Sequence, residues 1–183
     1  MERRAFLQQS GGCCALSLLG ATGLVPLAAA PAAAQQQQPD PEKEFIKNWV
    51  TDLMDTLQEC DEKTQRRLMA GTGRGCFQRH SFKTEIAADG AGSRYKLLLA
   101  MKRSFEVWEE GPDIHVRFGP KSPGCYCPAA RYRPAHKNDA HCHCSRATQQ
   151  AIFETALGHP VKVEILQAVR RGDPTCHFLV QGA

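Results

Sequence analysis

The chain has 183 residues, 42% hydrophobic and 23% charged, with a formal net charge of +4. A surplus that small gives no footing for nucleic acid or anionic lipid as an obligate partner, and the length suits one domain with its own core. Nine cysteines are many for such a chain; they point to a metal site, disulfides or reactive thiols.

In chain order, Arg3-Arg4-Ala5-Phe6-Leu7 has the form Arg-Arg-x-Phe-Leu of twin-arginine export signals. A weakly apolar run follows through Leu16, Leu18, Leu19, Leu24 and Leu27, and Ala28-Ala29-Ala30 and Ala32-Ala33-Ala34 offer two small-residue cleavage points. Residues 1–34 therefore read as a removable bacterial signal peptide. The export machinery is the implied partner, and the periplasm or the exterior is the destination. Gly20, Thr22, Gly23 and Pro26 interrupt the run, which argues against a stable membrane anchor. Cleavage takes away Glu2, Arg3, Arg4, Cys13 and Cys14, leaving seven cysteines and lowering the net charge from +4 to +3. The route carries folded proteins. A site assembled in a reducing cytoplasm starts from thiolates, which favours metal over disulfides.

Residues 35–40 read as a disordered linker and 41–183 as a single cysteine-rich α+β domain. Asp40-Pro41 is a helix start, with Glu42 and Glu44 in the first turn. Ile46, Trp49, Val50, Leu53, Leu57 and Cys60 then recur at helical spacing, and Trp49, Leu53 and Leu57 are expected in the core. Asp61 caps a second, shorter helix through Met69, stopped at Gly71. Gly71-Thr72-Gly73-Arg74-Gly75 reads as a connector; without a preceding strand or a following Lys-Ser/Thr it is a poor phosphate loop. Cys76 and His80 lie four apart, a spacing that pairs side chains on a helix face. After a loop at 87–92, Tyr95, Leu98, Leu99 and Met101 suggest a helix. Phe105 and Val107, the turn Gly111-Pro112-Asp113, then Ile114, Val116 and Phe118 predict a hairpin. A helix over 145–157 is inserted before two further strands, Val161 to Ile165 and Cys176 to Val180. The expected fold is thus α+β: N-terminal helices followed by a mainly antiparallel sheet with one inserted helix.

Between the hairpin and the inserted helix stand Cys125-Tyr126-Cys127-Pro128 and His141-Cys142-His143-Cys144. Together with Cys176 these give five candidate metal ligands: Cys125, Cys127, Cys142, Cys144 and Cys176. Residues i and i+2 of a flat strand lie about 6.6 Å apart on one face. Two sulfurs on one tetrahedral zinc lie about 3.8 Å apart. Each Cys-x-Cys pair can therefore chelate only where the backbone bends, as Gly124 and Pro128 allow. Four soft donors suit zinc, or an iron–sulfur cluster as the alternative. No Cys-x-x-Cys occurs, which argues against a thioredoxin-type motif and excludes covalent haem.

The stretch Cys142-x-Cys144-Ser145, the helix ending near Gly158, the strand at 161–165, Gly172 and Cys176-His177-Phe178 resembles the closing part of the 4-vinyl-reductase-like domain. That resemblance covers about the last 60 residues. It implies an α+β fold that binds a small molecule and holds zinc through cysteines, Cys176 among them. Where that family has a further cysteine eight residues earlier, this chain has Ala168. The chain at large also resembles cysteine-rich bacterial proteins labelled as relatives of an aminothiazoline-carboxylate hydrolase, through Gly73-Arg74-Gly75-Cys76 and the two Cys-x-Cys pairs. The reading is a secreted zinc-thiolate domain supporting a small-molecule pocket. A metal-dependent hydrolase is one alternative, with three ligands, a water, and Glu164 or His80 as general base. A thiol redox or metal-handling protein with exposed Cys125 or Cys142 is the other.

Overall fold

The computed structural model describes residues 40–183. The expected signal peptide and most of the expected linker lie outside the described residues.

The fold is α+β: helices first, then a four-stranded antiparallel sheet with one helix inserted. Four helices come first, α1 (Pro41–Gln58), α2 (Glu62–Arg79), α3 (Ser81–Asp89) and α4 (Arg94–Met101). The hairpin β1 (Glu106–Glu110) and β2 (Asp113–Arg117) follows, then a long segment containing one 3-10 turn, Pro128–Ala130. The inserted helix α5 (Cys142–Leu157), β3 (Lys162–Gln167) and β4 (His177–Gln181) complete the chain. The sheet order is β1-β2-β4-β3, with every pair antiparallel.

Local chemistry accounts for the boundaries. The Asp40 carboxylate accepts from the N–H groups of Glu42 and Lys43, and Pro41 stands where a missing N–H costs nothing. Asp61 caps α2 through the Thr64 N–H at 3.0 Å. Gly158 ends α5 at φ 77°, a left-handed position that glycine takes without a Cβ penalty. One sheet face supplies Val107, Ile114, Val116, Val163, Phe178 and Val180 to the core, opposite Leu97, Met101, Ile152 and Phe153 of α4 and α5. Each such side chain contributes about 1.5–3 kcal/mol on full burial. The outer face is polar but consolidated. Trp108 stacks flat on His115, whose Nδ1 is 2.9 Å from His177 Nε2.

Three expectations need correction. The glycines at 71, 73 and 75 do not form a connector, because α2 runs straight through them. A Cβ on Gly73 would stand 2.5 Å from the Cys144 carbonyl oxygen and 2.6 Å from the Ala147 Cβ. Glycine is there to let α2 and α5 approach, and that packing overrides its poor helix propensity. Residues 81–89, part of the expected loop included, form α3. On α1, Leu57 is buried, but Trp49 and Leu53 are 56% and 50% exposed, so the core side of this helix is set by Met54 and Leu57.

Candidate functional site

The site is organised by the first turn of α5, which begins three residues earlier than the sequence suggests. The N–H groups of Cys142, His143 and Cys144 bond to the carbonyls of Asp139, Ala140 and His141 at 3.1, 3.1 and 2.9 Å. Cys142 and Cys144 are therefore helical and not extended. At about 100° per residue they project roughly 200° apart around the axis. They cannot share one ion at a short bite, and each faces a different set of neighbours.

On one side stand Cys142, Cys125 and Cys176. The segment carrying Cys125 is laced to the start of β4: Phe118 N–H donates to the Cys176 carbonyl (3.0 Å), Ser122 N–H to Pro174 (2.8 Å) and the Thr175 hydroxyl to Gly119 (2.7 Å). Burial pushes the Cys142 thiol up to about 12; Arg171 opposes this, while Asp139 and the nearby thiols of Cys176 and Cys125 add to it. Burial also raises Cys176, again with a contribution from Cys125.

On the other side stand Cys144, Cys127 and Cys76. Cys76 lies three residues after Gly73 on α2, on the face that meets α5. The Thr148 hydroxyl joins the two helices through the Gly73 and Cys144 carbonyls at 3.1 and 3.0 Å. Burial raises the Cys144 thiol; a hydrogen bond with Thr72 opposes it, and Cys76 and Cys127 add to it. Burial likewise raises Cys127, with Cys125 and Cys76 contributing. Lys83 donates to the Cys76 sulfur at 2.9 Å. Cys60 holds its thiol against the Thr56 carbonyl at 3.8 Å and packs on the same buried cluster as Cys76, a cluster that includes Cys144. All seven cysteines of the described residues are free.

Cys142 thus feels Cys125 and Cys176, and Cys144 feels Cys76 and Cys127, while Cys127 also feels Cys125, which links the two groups. Among the described residues no three His, Cys, Asp or Glu side chains already stand as a metal-holding group. Cys76 joins through tertiary packing. Its signal in the sequence was the Gly-x-x-Cys spacing, which puts the glycine and the thiol on one helix face.

A buried ion cluster holds the intervening loop. Asp139 accepts from Arg133 (2.6 Å), Arg170 (2.8 Å) and the His141 N–H (3.0 Å). Arg170 also donates to the carbonyls of Ala130 (2.5 Å) and Pro134 (2.6 Å). Burial works to raise the Asp139 carboxyl, but the His141 N–H and both guanidiniums outweigh it and hold the group below its ordinary range. His141 is buried with neither ring nitrogen partnered, and His143 has an unpartnered Nδ1. Burial lowers both imidazoles to about 4, and nearby arginines reinforce it. At neutral pH both rings are uncharged and keep a lone pair. Neither proposed general base engages a thiol: Glu164 is taken by Lys162 at 2.5 Å, and His80 is exposed at the α2–α3 junction.

Two cavities flank this region. A groove of about 460 Å³ between α1 and the 3-10 turn is lined by Ile46, Val50, Ala129 and Tyr132. A polar cleft of about 380 Å³ lies by the start of α5. Among the described residues no helix is long and apolar enough to cross a membrane.

No family model matches the chain, and no curated protein matches it. Among solved structures, the phenol-responsive sensory domain of the transcription activator PoxR, crystallised with phenol, is 12% identical with a TM-score of 0.40. That match covers 74% of this chain and 72% of the sensory domain. A vinyl-4-reductase family protein from Methanocaldococcus jannaschii is also 12% identical, with a TM-score of 0.33, covering 80% of this chain and 83% of that one. Likenesses at this level assign neither a family nor a ligand.

Proposed function

We propose that the mature chain is an exported thiolate metal-binding domain, loaded with zinc, whose metal braces a small-molecule pocket. The observation that carries this reading is the supply of six free thiols by α2, the 119–141 segment, α5 and the start of β4, four of them raised in part by neighbouring thiols. Soft donors at that density suit zinc, with an iron–sulfur cluster as the competing occupant. Cys125, Cys142 and Cys176 supply one ligand set, and Cys76, Cys127 and Cys144 the other. His141, in the same turn, offers a neutral nitrogen as a further donor. Loading draws the segment onto the ion and releases thiol protons, so metal binding and folding are coupled. The groove walled by Ala129, two residues past Cys127, is then the pocket that the metal stiffens.

The raised Cys142 thiol argues against the redox alternative at that residue. Reactive cysteines have depressed pKa values and exposed, electropositive surroundings; Cys127, Cys142, Cys144 and Cys176 are all shifted the other way by burial. The hydrolase alternative has no base in contact with a thiol.

The test is metal analysis and a native thiol count on protein exported by a twin-arginine-competent host. The reading expects about one zinc or more per chain and fewer than seven reactive thiols, with export abolished when Arg3 and Arg4 are both changed to Lys. Metal-free protein whose melting point falls with reductant and ignores chelator would refute it in favour of disulfides.

A further inference from the structure

The polar cleft beside the thiols has a composition that the metal reading does not use. It is lined by Gln58, Glu62, Gln65, Asn138, His143 and Arg171, from the end of α1, the start of α2, the 119–141 segment, α5 and the turn before β4. We propose that it is a binding site for a small oxyanion, a carboxylate or a phosphate group on a metabolite-sized molecule, gripped by Arg171 and His143.

The wall is pre-organised. Gln58 donates to the Asn138 carbonyl (2.9 Å) and accepts from the Ala140 N–H (2.9 Å). Gln65 donates to the carbonyls of Gln58 (3.1 Å) and Cys60 (2.8 Å). The one acid of the lining, Glu62, is engaged by Arg66 at 2.7 and 2.9 Å and also feels the charges of His143 and Arg171. What remains is donor-rich. Arg171 forms no ion pair among the described residues, and its buried Nε has no acceptor. His143 is only 3% exposed, yet its Nδ1 has no partner. Buried polar groups in native proteins are nearly always satisfied, and these two unpartnered nitrogens belong to two side chains that line the same cleft. A guanidinium fork suits the paired oxygens of a carboxylate or phosphate. The positive end of the α5 dipole, where His143 sits, has the same preference. A volume of about 380 Å³ admits a small metabolite and excludes a macromolecule.

The experiment uses the mature chain at constant ionic strength, titrated with sodium phosphate and separately with malonate, with chloride as control, and read by amide NMR shifts at Asn138, His143 and Arg171. The proposal expects saturable one-site shifts for at least one probe. Saturation by phosphate alone identifies a phosphate site, and by malonate alone a carboxylate site. Arg171→Gln should weaken binding about ten-fold or more, as loss of a charged hydrogen-bond donor does. Should that variant fail to fold, Arg171→Lys, which keeps the charge but not the fork, should still weaken it. Glu62→Gln should tighten it by removing the one negative charge of the lining. Linear shifts matching those of chloride, or unchanged affinity in the folded Arg171 variant, overturn the proposal. Metal content is measured alongside and should not change in Arg171→Gln, so failure of this site is distinguishable from failure of the thiolate reading.

Discussion

Replacing Gly73 by Ala sets two effects of opposite sign against each other. Helix propensity favours alanine over glycine by about 1 kcal/mol in a helix interior. Packing opposes it. The new Cβ meets the Cys144 carbonyl oxygen at 2.5 Å, the Ala147 Cβ at 2.6 Å and the Thr148 nitrogen at 3.1 Å. All three belong to the backbone of α5 or are fixed to it, so none can rotate away and the helices must separate. Overpacking of this kind costs about 1–3 kcal/mol and often more when backbone must move. The clash wins, and Gly73→Ala should lose about 2 kcal/mol net, or about 4–8 °C in melting temperature for a chain of this size. Two neighbours act as internal controls. At Gly71 an added Cβ meets nothing within 4 Å, so Gly71→Ala should gain about 0.5–1 kcal/mol. At Gly75 it meets only the movable guanidinium of Arg79, so Gly75→Ala should be near neutral or slightly stabilising. Urea unfolding of the three variants, with m-values compared, measures the order. If Gly73→Ala is as stable as Gly71→Ala, α2 and α5 do not meet as described, and the position of Cys76 beside Cys144 falls with it.

Asp139 should govern acid stability. Its folded pKa is depressed, so its contribution is present above the ordinary carboxylate value of about 4 and is lost as pH falls through the folded value. Asp139→Asn should cost about 3–5 kcal/mol at pH 7 by leaving Arg133 and Arg170 buried without their anion, and its stability should vary less than wild type between pH 5 and pH 2. Parallel stability curves across that range would contradict this. On α1, Leu57→Ala should lose about 2–5 kcal/mol while the half-exposed Leu53→Ala stays within about 0.5–1 kcal/mol, read by denaturant midpoints. A chelator should lower the melting temperature of wild type; Cys142→Ser and Cys144→Ser should each reduce that sensitivity in part, because they sit in different thiol sets, and Cys60→Ser should leave it unchanged. Complete loss of the sensitivity from either single change would point to one shared ion.

Much of the fold was legible in local patterns. The alternation at Val107, Ile114 and Val116, broken by Gly111-Pro112, foretold the hairpin, because a half-buried strand must repeat every two residues. The Asp40-Pro41 and Asp61 starts and the Gly158 stop were equally plain, because caps satisfy backbone groups within a few residues of their own sequence. The α3 helix was not legible, since Ser81, Lys83, Thr84 and Glu85 leave only Ile86 and Ala87 buried and no apolar period to read.

The nine cysteines and the two Cys-x-Cys spacings belong to the sequence alone, and so does the expectation that the pairs meet. Only the tertiary structure decided how they meet. The intrinsic preference of glycine would stop α2 at Gly71, but the contact of Gly73 with α5 carries the helix on and brings Cys76 to the thiols. The spacing of two would put Cys142 and Cys144 on one face of a strand, but the turn begun at Asp139, anchored by Arg133 and Arg170, makes them helical and divides them. Both outcomes depend on contacts between residues 31 to 75 positions apart in the chain. Periodicity reports only the nearest few neighbours, so no local pattern carries that information.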